Sequence, residues 1–547
     1  MGRIAVAAVV SLWVIPISVL VDRVVPDPYM DEIFHIPQAQ RYCRGDFGTW
    51  DPMITTPPGL YYLSLVYIAS LFPSMWFAKF APTMSSICST AILRSTNAVV
   101  AVICSVLIYD LLIQLRPTLG EKKATIYAIL LASYPLHWFF TFLYYTDVAS
   151  LTAVLAMYLA SLKSKYWLSA MLGALATMFR QTNIIWMFFI AANSAVSYAE
   201  NLYGQDSVLQ NKHKTTLEDN DHLSHNRSTP ISSGLKKRRM HNSSSNSQQS
   251  AFERSEFSLH HPPGFFYEIL DVISKLWSLK WKVAIAFAPF VMVLLAFVTF
   301  VIWNGSIVLG AKEAHAVSPH FAQMLYFGLC CAAALGPVHF TQATCLYQSF
   351  RKNKIFYSFQ VLLALVIGFI AVFFFSIAHP YLLADNRHYP FYLWRKVIQV
   401  HWMLKYLLIP LYVYSWSFII SILRGEHQRR IWVLSYVIAT ALVLVPAPLI
   451  EFRYYTIPFY FLILHSKIGE TSNWLLIGGL YAVVNIFTIA SVPGMLQPGM
   501  VNLLNHPSLN VTMKSAVNTC KISVLHIAPG NGRILIPAFH TIAVNLV

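Results

Sequence analysis

Along its length the chain alternates long apolar runs with short polar segments. Runs suited to membrane helices recur at about 88–115, 123–143, 147–162, 166–181, 183–200, 283–304, 319–345, 355–378, 401–423, 431–449, 453–466 and 473–491. A spanning helix needs about 20 mainly apolar residues. The first run, Ile4–Val21, exceeds a typical signal core and no small-x-small site stands before Asp27, so it predicts an uncleaved first span. Another run, 59–80, is bracketed or interrupted by Pro57, Pro58, Pro73 and Pro82, and suits a juxtamembrane or re-entrant element as well as a full span. From 201 to about 262 the apolar pattern stops. Ser, Asn, His and charged residues take over, which predicts a disordered linker. The chain therefore divides into an N-terminal membrane module (1–200), a basic insert (201–282), a C-terminal membrane module (283–491) and a tail (492–547). The fold class expected is all-α and polytopic.

Composition agrees with that pattern. Of 547 residues, 56% are hydrophobic and 11% charged, and the mean hydropathy is +0.55, which excludes an ordinary soluble enzyme. The formal net charge of +16 sits mostly in short segments, "RPTLGEKK", "KSK", "RKNK" and "RGEHQRR", and in "KKRR" of the insert. Short basic loops stay cytosolic, so these segments fix an orientation and an attraction to anionic lipid, and nucleic acid is not the expected partner. The acidic "DND", Asp219–Asp221, is read as a solvated loop. The seven cysteines form no CxxC pair and no zinc spacing; most read as small hydrophobes, with connectivity and redox compartment left open.

With the basic loops cytosolic, the remaining polar motifs fall on the opposite face. They are the loop containing Asp31, Glu32 and His35; "YYTDVAS" with Asp147; "FRQTN" with Arg180; "WNGSIVLGAKEAH" with Lys312, Glu313 and His315; "HPYLLADNRHYPFYLWRK" with Arg387, His388 and Tyr389; and "LIEFRYY" with Glu451 and Arg453. A carboxylate at membrane depth costs roughly 3 kcal/mol, so such groups line water or pair with a base. Each alone reads as an ordinary cap or ion pair, but their convergence predicts a polar cavity. Asp31 and Glu32 are adjacent and point about 100° apart on a helix, so only one can aim at a given atom. His35, four residues on, shares the face of Asp31. One acid then serves as general base, with the other holding the loop or a sugar. Capping of an interfacial helix, "DEIFHIPQAQRY", is the competing reading. A zinc site from Asp31 and His35 lacks further ligands nearby, and no metal or cofactor is expected.

An acidic pair in the first loop after the first span resembles the membrane glycosyltransferases of the GT-C fold, which use polyprenyl-phosphate sugars. Within that class, "MDEIFHIPQAQRYC", "WDPMITTPPGLYYLS", "FLYYTD", "RQTN", "HPYLLADNRHYPFYLWR" and "EFRYYTIPFY" resemble the dolichyl-phosphate-glucose-dependent alpha-1,2-glucosyltransferases of the N-glycan precursor pathway. The likeness runs to about Ile489, apart from the insert. It implies roughly 12–14 membrane helices, a multi-pass protein of the endoplasmic reticulum with a lumenal site, and transfer of a third, terminal glucose. The donor implied is dolichyl phosphate glucose, and the acceptor a diglucosylated dolichyl-pyrophosphate oligosaccharide. A beta-linked donor and an alpha-linked product imply inversion by single displacement. In that mechanism Asp31 is expected as base, with Glu32 as runner-up or sugar ligand. Arg387 and His388 lead the candidates for the leaving phosphate, ahead of Lys312, Arg180 and Arg453, and Tyr389 is a stacking candidate. Two departures stand out. Ala311 occupies a position where many members carry Asp, and the tail after about Ser491 is unlike the family terminus. A related polyprenyl-phosphate mannosyltransferase, a transporter or scramblase, and a non-catalytic membrane subunit are the rival readings.

Overall fold

A computed structural model describes residues 1–72, 87–223, 264–310, 312, 318–339, 351, 354–376, 382, 389–424, 429–447, 449–468 and 471–491, with the backbone alone for 205–223 and 389. Among these residues the regular structure is helical and no strand forms. The N-terminal helices are α1 (Gly2–Val24), α2 (Glu32–Cys43), α3 (Gly59–Leu71), α4 (Thr90–Leu115), α5 (Glu121–Ala132), α6 (Pro135–Thr141), α7 (Thr146–Leu162), α8 (Tyr166–Phe179) and α9 (Asn183–Leu223). Helices α10 (Phe265–Ser278) and α11 (Lys280–Asn304) follow. The later ones include Ala322–Ala334, Lys354–Phe375, Ile409–Leu423, Arg430–Leu444, Thr456–His465 and Thr471–Ser491.

Among the described residues six helices are long and apolar enough to cross a membrane: α1, α4, α11, Lys354–Phe375, Leu404–Leu423 and Thr471–Ser491. The bent pair α6–α7 makes a seventh if it is one span, and four apolar helices of 10–17 residues are shorter. The chain is a multi-pass membrane protein. Its long helices turn large apolar side chains outward, as along Lys354–Phe375, where Phe359, Leu362 and Phe374 are more than half exposed. In water that would drive aggregation; in a bilayer lipid tails cover those faces. Several expected runs end at prolines. The run 123–143 breaks between Ala132 and Pro135, because proline lacks the N–H that a continuing helix would use. The ambiguous run 59–80 begins with the 13-residue helix α3.

The chain forms two units, Met1–Ala191 together with the residues from Phe287 onward, and Ala192–Ala286. In the first, α4 packs against α1, α5 and α7, and α7 against α8. Gly173 leaves room for its neighbours: a Cβ there would meet the side chains of Met187 and Met157 at 2.8 and 3.0 Å. Late helices return to this core. Trp474 stacks on Tyr127 with centroids 4.2 Å apart, and Phe459 on Tyr134 at 4.0 Å, so residues of both expected membrane modules share one core. The second unit contains the whole of the expected insert, 201–282. Helix α9 runs on to Leu223, where the sequence suggested a linker. Helix α10 is amphipathic, with Lys275 paired to Asp271 at 2.5 Å and Val272 buried. The tail 492–547 lies outside the described residues.

A disulfide joins Cys43, at the end of α2, to Cys88, just before α4. Gln40 Nε2 donates to the Cys88 carbonyl at 3.2 Å. The sequence alone left this pairing open.

Candidate active site

The opening acids sit at the start of α2 with different environments. Met30, buried and in the left-handed region at φ 56, turns the chain into the helix. Asp31 occupies the N-cap position, and its carbonyl accepts the N–H groups of Phe34 and His35 at 3.0 and 3.2 Å. The Asp31 N–H donates to the Tyr145 hydroxyl at 2.6 Å.

Glu32 is fully buried. Its Oε1 accepts Arg94 Nε at 2.9 Å and the Tyr144 N–H at 2.5 Å. Its Oε2 accepts Arg94 Nη2 at 2.6 Å and the Tyr29 N–H at 2.9 Å. Four donors saturate the two oxygens, leaving no good lone pair for an incoming proton. Arg94 lies within α4 and also donates to Asp22 Oδ1, at 3.2 Å, and to the backbone carbonyls of Val25 and Asp27.

The second contributor is the break between α6 and α7, where the helix axes turn by 119°. A broken helix leaves orphan backbone groups, which cannot remain bare at membrane depth. Asn97 Nδ2 donates to the carbonyls of Leu143 and Tyr145, both at 2.7 Å, while Glu32 takes the Tyr144 N–H. The break thereby presents the Tyr145 ring, and then Thr146 and Asp147 at the start of α7.

The third contributor is the single turn Phe452–Tyr455 preceding the helix Thr456–His465. Arg453 Nη1 donates to Asp31 Oδ2 at 3.0 Å, and Arg453 also pairs with Glu451. Its guanidinium lies 5.8 Å from the ring centroids of Tyr145 and Tyr454. On α8's C-terminal side, Arg180 Nη2 donates to Asp147 Oδ2 at 2.9 Å and Nε to Thr146 Oγ1 at 3.1 Å. Arg180 also lies 5.8 Å from the Tyr454 ring centroid, so one ring sits beside both guanidinium groups. The Asp31 side chain is 33% exposed, more open than those of Glu32 and Asp147. Asp147 Oδ1 is buried and has no hydrogen-bond partner among the described residues.

His35 lies under this group. Its Nδ1 shares a 2.7 Å hydrogen bond with the Tyr61 hydroxyl. Burial pushes the imidazole down to about 4; Asp31 opposes that shift, and Arg453 and Arg180 add to it. At neutral pH it is therefore an uncharged packing and orienting group.

The loop between α2 and α3 is pinned from several directions. Gln38 donates to the Thr49 carbonyl at 2.8 Å and accepts the Asp51 N–H at 3.0 Å. The Thr55 carbonyl, in the Thr-Thr-Pro-Pro turn, accepts Gln181 Nε2 at 2.7 Å and the Leu309 N–H at 3.2 Å. Gly310 lies against the carbonyls of Pro52 and Ile54, where a Cβ has no room.

Of the residues expected from the sequence, Asp31, Glu32, His35, Arg180, Glu451 and Arg453 gather here, together with Asp147. Lys312 is exposed and donates to the Asn304 carbonyl at 2.6 Å, within its own loop. Tyr389 starts the short helix Tyr389–Leu393. Arg387 and His388 lie outside the described residues, as do Ala311, Glu313 and His315. Sequence reasoning missed Arg94, Asn97 and Tyr454, and weighed Tyr145 only as a loop aromatic more typical of an interfacial anchor than of a sugar-stacking ring. A lone arginine inside an apolar run was the available signal for Arg94, because such a charge demands a buried partner. Among the described residues no group of three or more His, Cys, Asp or Glu could hold a metal ion.

Comparison with known proteins adds a second kind of observation. The model of the DIE2/ALG10 family matches residues 25–464. A protein of Arabidopsis thaliana named "Dol-P-Glc:Glc(2)Man(9)GlcNAc(2)-PP-Dol alpha-1,2-glucosyltransferase" is 52% identical over 495 residues, 90% of this chain and 96% of its own length. Proteins of the same name from Homo sapiens and Mus musculus are 35% and 34% identical over 85% of this chain, covering 89% and 90% of their own lengths. No solved structure matches.

Proposed function

The chain belongs to the DIE2/ALG10 family, and from that premise we propose that it transfers the terminal glucose in lipid-linked oligosaccharide assembly. The donor is dolichyl phosphate glucose. The acceptor is the diglucosylated dolichyl-pyrophosphate oligosaccharide, and the new bond is an alpha-1,2 linkage. The relatives' shared name, across 90% of this chain for the plant protein, supports this reading over a mannosyltransferase or a transporter.

In the proposed step an acceptor hydroxyl oxygen attacks the anomeric carbon, and the bond from that carbon to the phosphate oxygen breaks. The hydroxyl proton passes to the base, and dolichyl phosphate leaves from the opposite face. Asp31 is the base. The observation that carries this assignment is the contrast within the acid pair: Glu32 is buried with four donors on its oxygens, whereas the Asp31 carboxylate is a third exposed and held by Arg453. Glu32 then positions the loop. Asp147, with a buried oxygen lacking a partner among the described residues, is the candidate acceptor for a sugar hydroxyl. For charge on the departing phosphate the candidates are Arg180, Lys312, Arg387 and His388. Arg180 is favoured because it shares Tyr454 with Arg453. Tyr389 is retained as a stacking candidate.

The working face is proposed to be the lumen of the endoplasmic reticulum. The Cys43–Cys88 disulfide belongs to the same loop system as Asp31, and disulfides persist in oxidising compartments. The basic loops favour the cytosolic side for the other face. Microsomes carrying Asp31→Asn should accumulate diglucosylated lipid-linked oligosaccharide at normal protein abundance. Complete glucosylation by that variant would remove Asp31 from the role.

A further inference from the structure

Helix α10 ends at Ser278, and α11 begins at Lys280, with Leu279 as the joint. In the α10 sequence, "FFYEILDVISKLWS", Phe266, Leu270, Ile273 and Trp277 stand at i, i+4, i+7 and i+11. At 100° per residue those four side chains share a stripe about 60° wide. All four are more than half exposed. The opposite side carries Glu268, Asp271 and Lys275, and Lys275 lies 5.7 Å from the ring centroid of Tyr203 in α9. One side of α10 thus faces protein and the other does not. We propose that α10 is an in-plane anchor, its apolar stripe seated among the headgroups and upper acyl chains of the phospholipid surface from which α11 starts. This assignment is independent of the transfer chemistry.

Length and position select that partner. Helix α11 has 25 residues, about 38 Å of helix, whereas crossing the hydrocarbon takes about 30 Å. The span is complete without α10, so α10 joins it at the membrane surface. Glu268 and Asp271 also bar α10 from the hydrocarbon itself, where carboxylates are costly. Trp281 and Ile285, in the first two turns of α11, are as exposed as the α10 stripe. Lipid covers such side chains on a spanning helix. The stripe of α10 therefore continues a surface that the bilayer already covers.

The residues at the joint have the matching chemistry. In "KLWSLKWK", Lys275–Lys282, two tryptophans alternate with lysines. Tryptophan settles at headgroup level, and a lysine stem lies along apolar surface while its ammonium reaches phosphate. Lys280 Nζ is 4.7 Å from the ring centroid of Trp277, so an indole and a cation occupy one depth. An apolar face flanked by Lys and Trp is the pattern of a helix lying in the interface plane. Such a helix pins the start of α11 against sliding along the membrane normal.

The test uses full-length protein in nanodiscs of phosphatidylcholine and phosphatidylserine. Photoreactive benzoylphenylalanine replaces either Ile273, in the stripe, or Ser278, about 100° away from it. After irradiation, mass spectrometry should find phospholipid adducts at position 273 at least about fivefold above those at 278, because only the stripe is seated in lipid. In a second arm, hydrogen exchange is followed at the amides of residues 265–278. Leu270→Glu combined with Ile273→Glu should speed that exchange about tenfold or more, since two apolar side chains give up their lipid cover. Adducts at position 273 to protein, whether a second copy or another chain, would overturn the assignment. So would equal phospholipid labelling at the two positions, or exchange that the glutamates leave unchanged. The photolabel arm keeps the wild-type stripe apart from one residue, so it decides the matter even if the double-glutamate protein fails to fold.

Discussion

If Glu32 anchors and Asp31 reacts, removing each charge should damage the protein in different ways. In Glu32→Gln the side chain keeps its shape but gains an NH2. Two donors face each oxygen of Glu32, so whichever way the amide turns, its NH2 confronts two N–H groups. Two acceptor bonds are lost, each leaving a buried donor at about 1–3 kcal/mol. Arg94, 2% exposed, loses the anionic partner that balanced it, and breaking a buried ion pair from one side costs about 3–5 kcal/mol. The two figures describe the same loss, so about 3–5 kcal/mol is the expected destabilisation. Asp31→Asn alters a side chain that is a third exposed, while Arg453 keeps Glu451, so its stability cost should be under about 1 kcal/mol. Its turnover should fall by about 10²–10⁴, the usual worth of a general base. Thermal unfolding and single-turnover transfer, measured on the same nanodisc preparations, separate the two. Glu32→Gln should melt several degrees lower, and adding Arg94→Met should recover part of the loss because the fully buried guanidinium is then gone; recovery stays partial because Asp22 and the Val25 and Asp27 carbonyls lose its donors. A Glu32→Gln protein that melts like wild type and lacks only turnover would refute the division of roles.

Other consequences follow from the same contacts. Lysine cannot span the carboxylates and rings that the Arg453 guanidinium touches, so Arg453→Lys should lower kcat by about 10–100-fold, seen in steady-state assays, with a smaller effect on donor KM. His35, pushed down to about 4 by burial, leaves the folded protein unable to take up a proton that the unfolded chain binds near 6.5. Stability is therefore full above about pH 6.5, falls as pH drops toward 4 by up to about 3 kcal/mol, and levels off below; His35→Asn should flatten that slope in pH-dependent melting curves. The Cys43–Cys88 bond closes a separation of 45 residues, so Cys43→Ser, or reductant on the wild type, should cost about 4 kcal/mol in thermal unfolding.

Much of the helical order was legible because membrane burial imposes a length. The run expected at 147–162 forms Thr146–Leu162, and 355–378 forms Lys354–Phe375. Lengths were misjudged where proline interrupted a run, as at Pro135, since hydropathy does not register a missing N–H. Within the site, Asp31, Asp147, Arg180, Glu451 and Arg453 stood out because charges are rare in so apolar a chain. Arg94 and Asn97 did not, because they lie inside the apolar run of α4, and the loop carbonyls they serve, those of Val25, Asp27, Leu143 and Tyr145, are brought to them only by the tertiary fold. Which two of seven cysteines pair is a property of tertiary proximity and could not be read from spacing.

The α6–α7 break explains why two adjacent acids stand at this point. Bending a helix pair by 119° among buried residues leaves backbone groups without helical partners, each costing about 1–3 kcal/mol unless a partner is supplied. Asn97 supplies the carbonyls of Leu143 and Tyr145, and Glu32 supplies the Tyr144 N–H. Once that bend is fixed, the Tyr145 hydroxyl holds the Asp31 N–H, and α7 starts with Asp147 facing Arg180. The acid that closes the backbone and the acid proposed as base are adjacent, so one peptide plane carries the position of the first to the second. Glu32 therefore has to be buried and saturated for Asp31 to be exposed in a fixed direction.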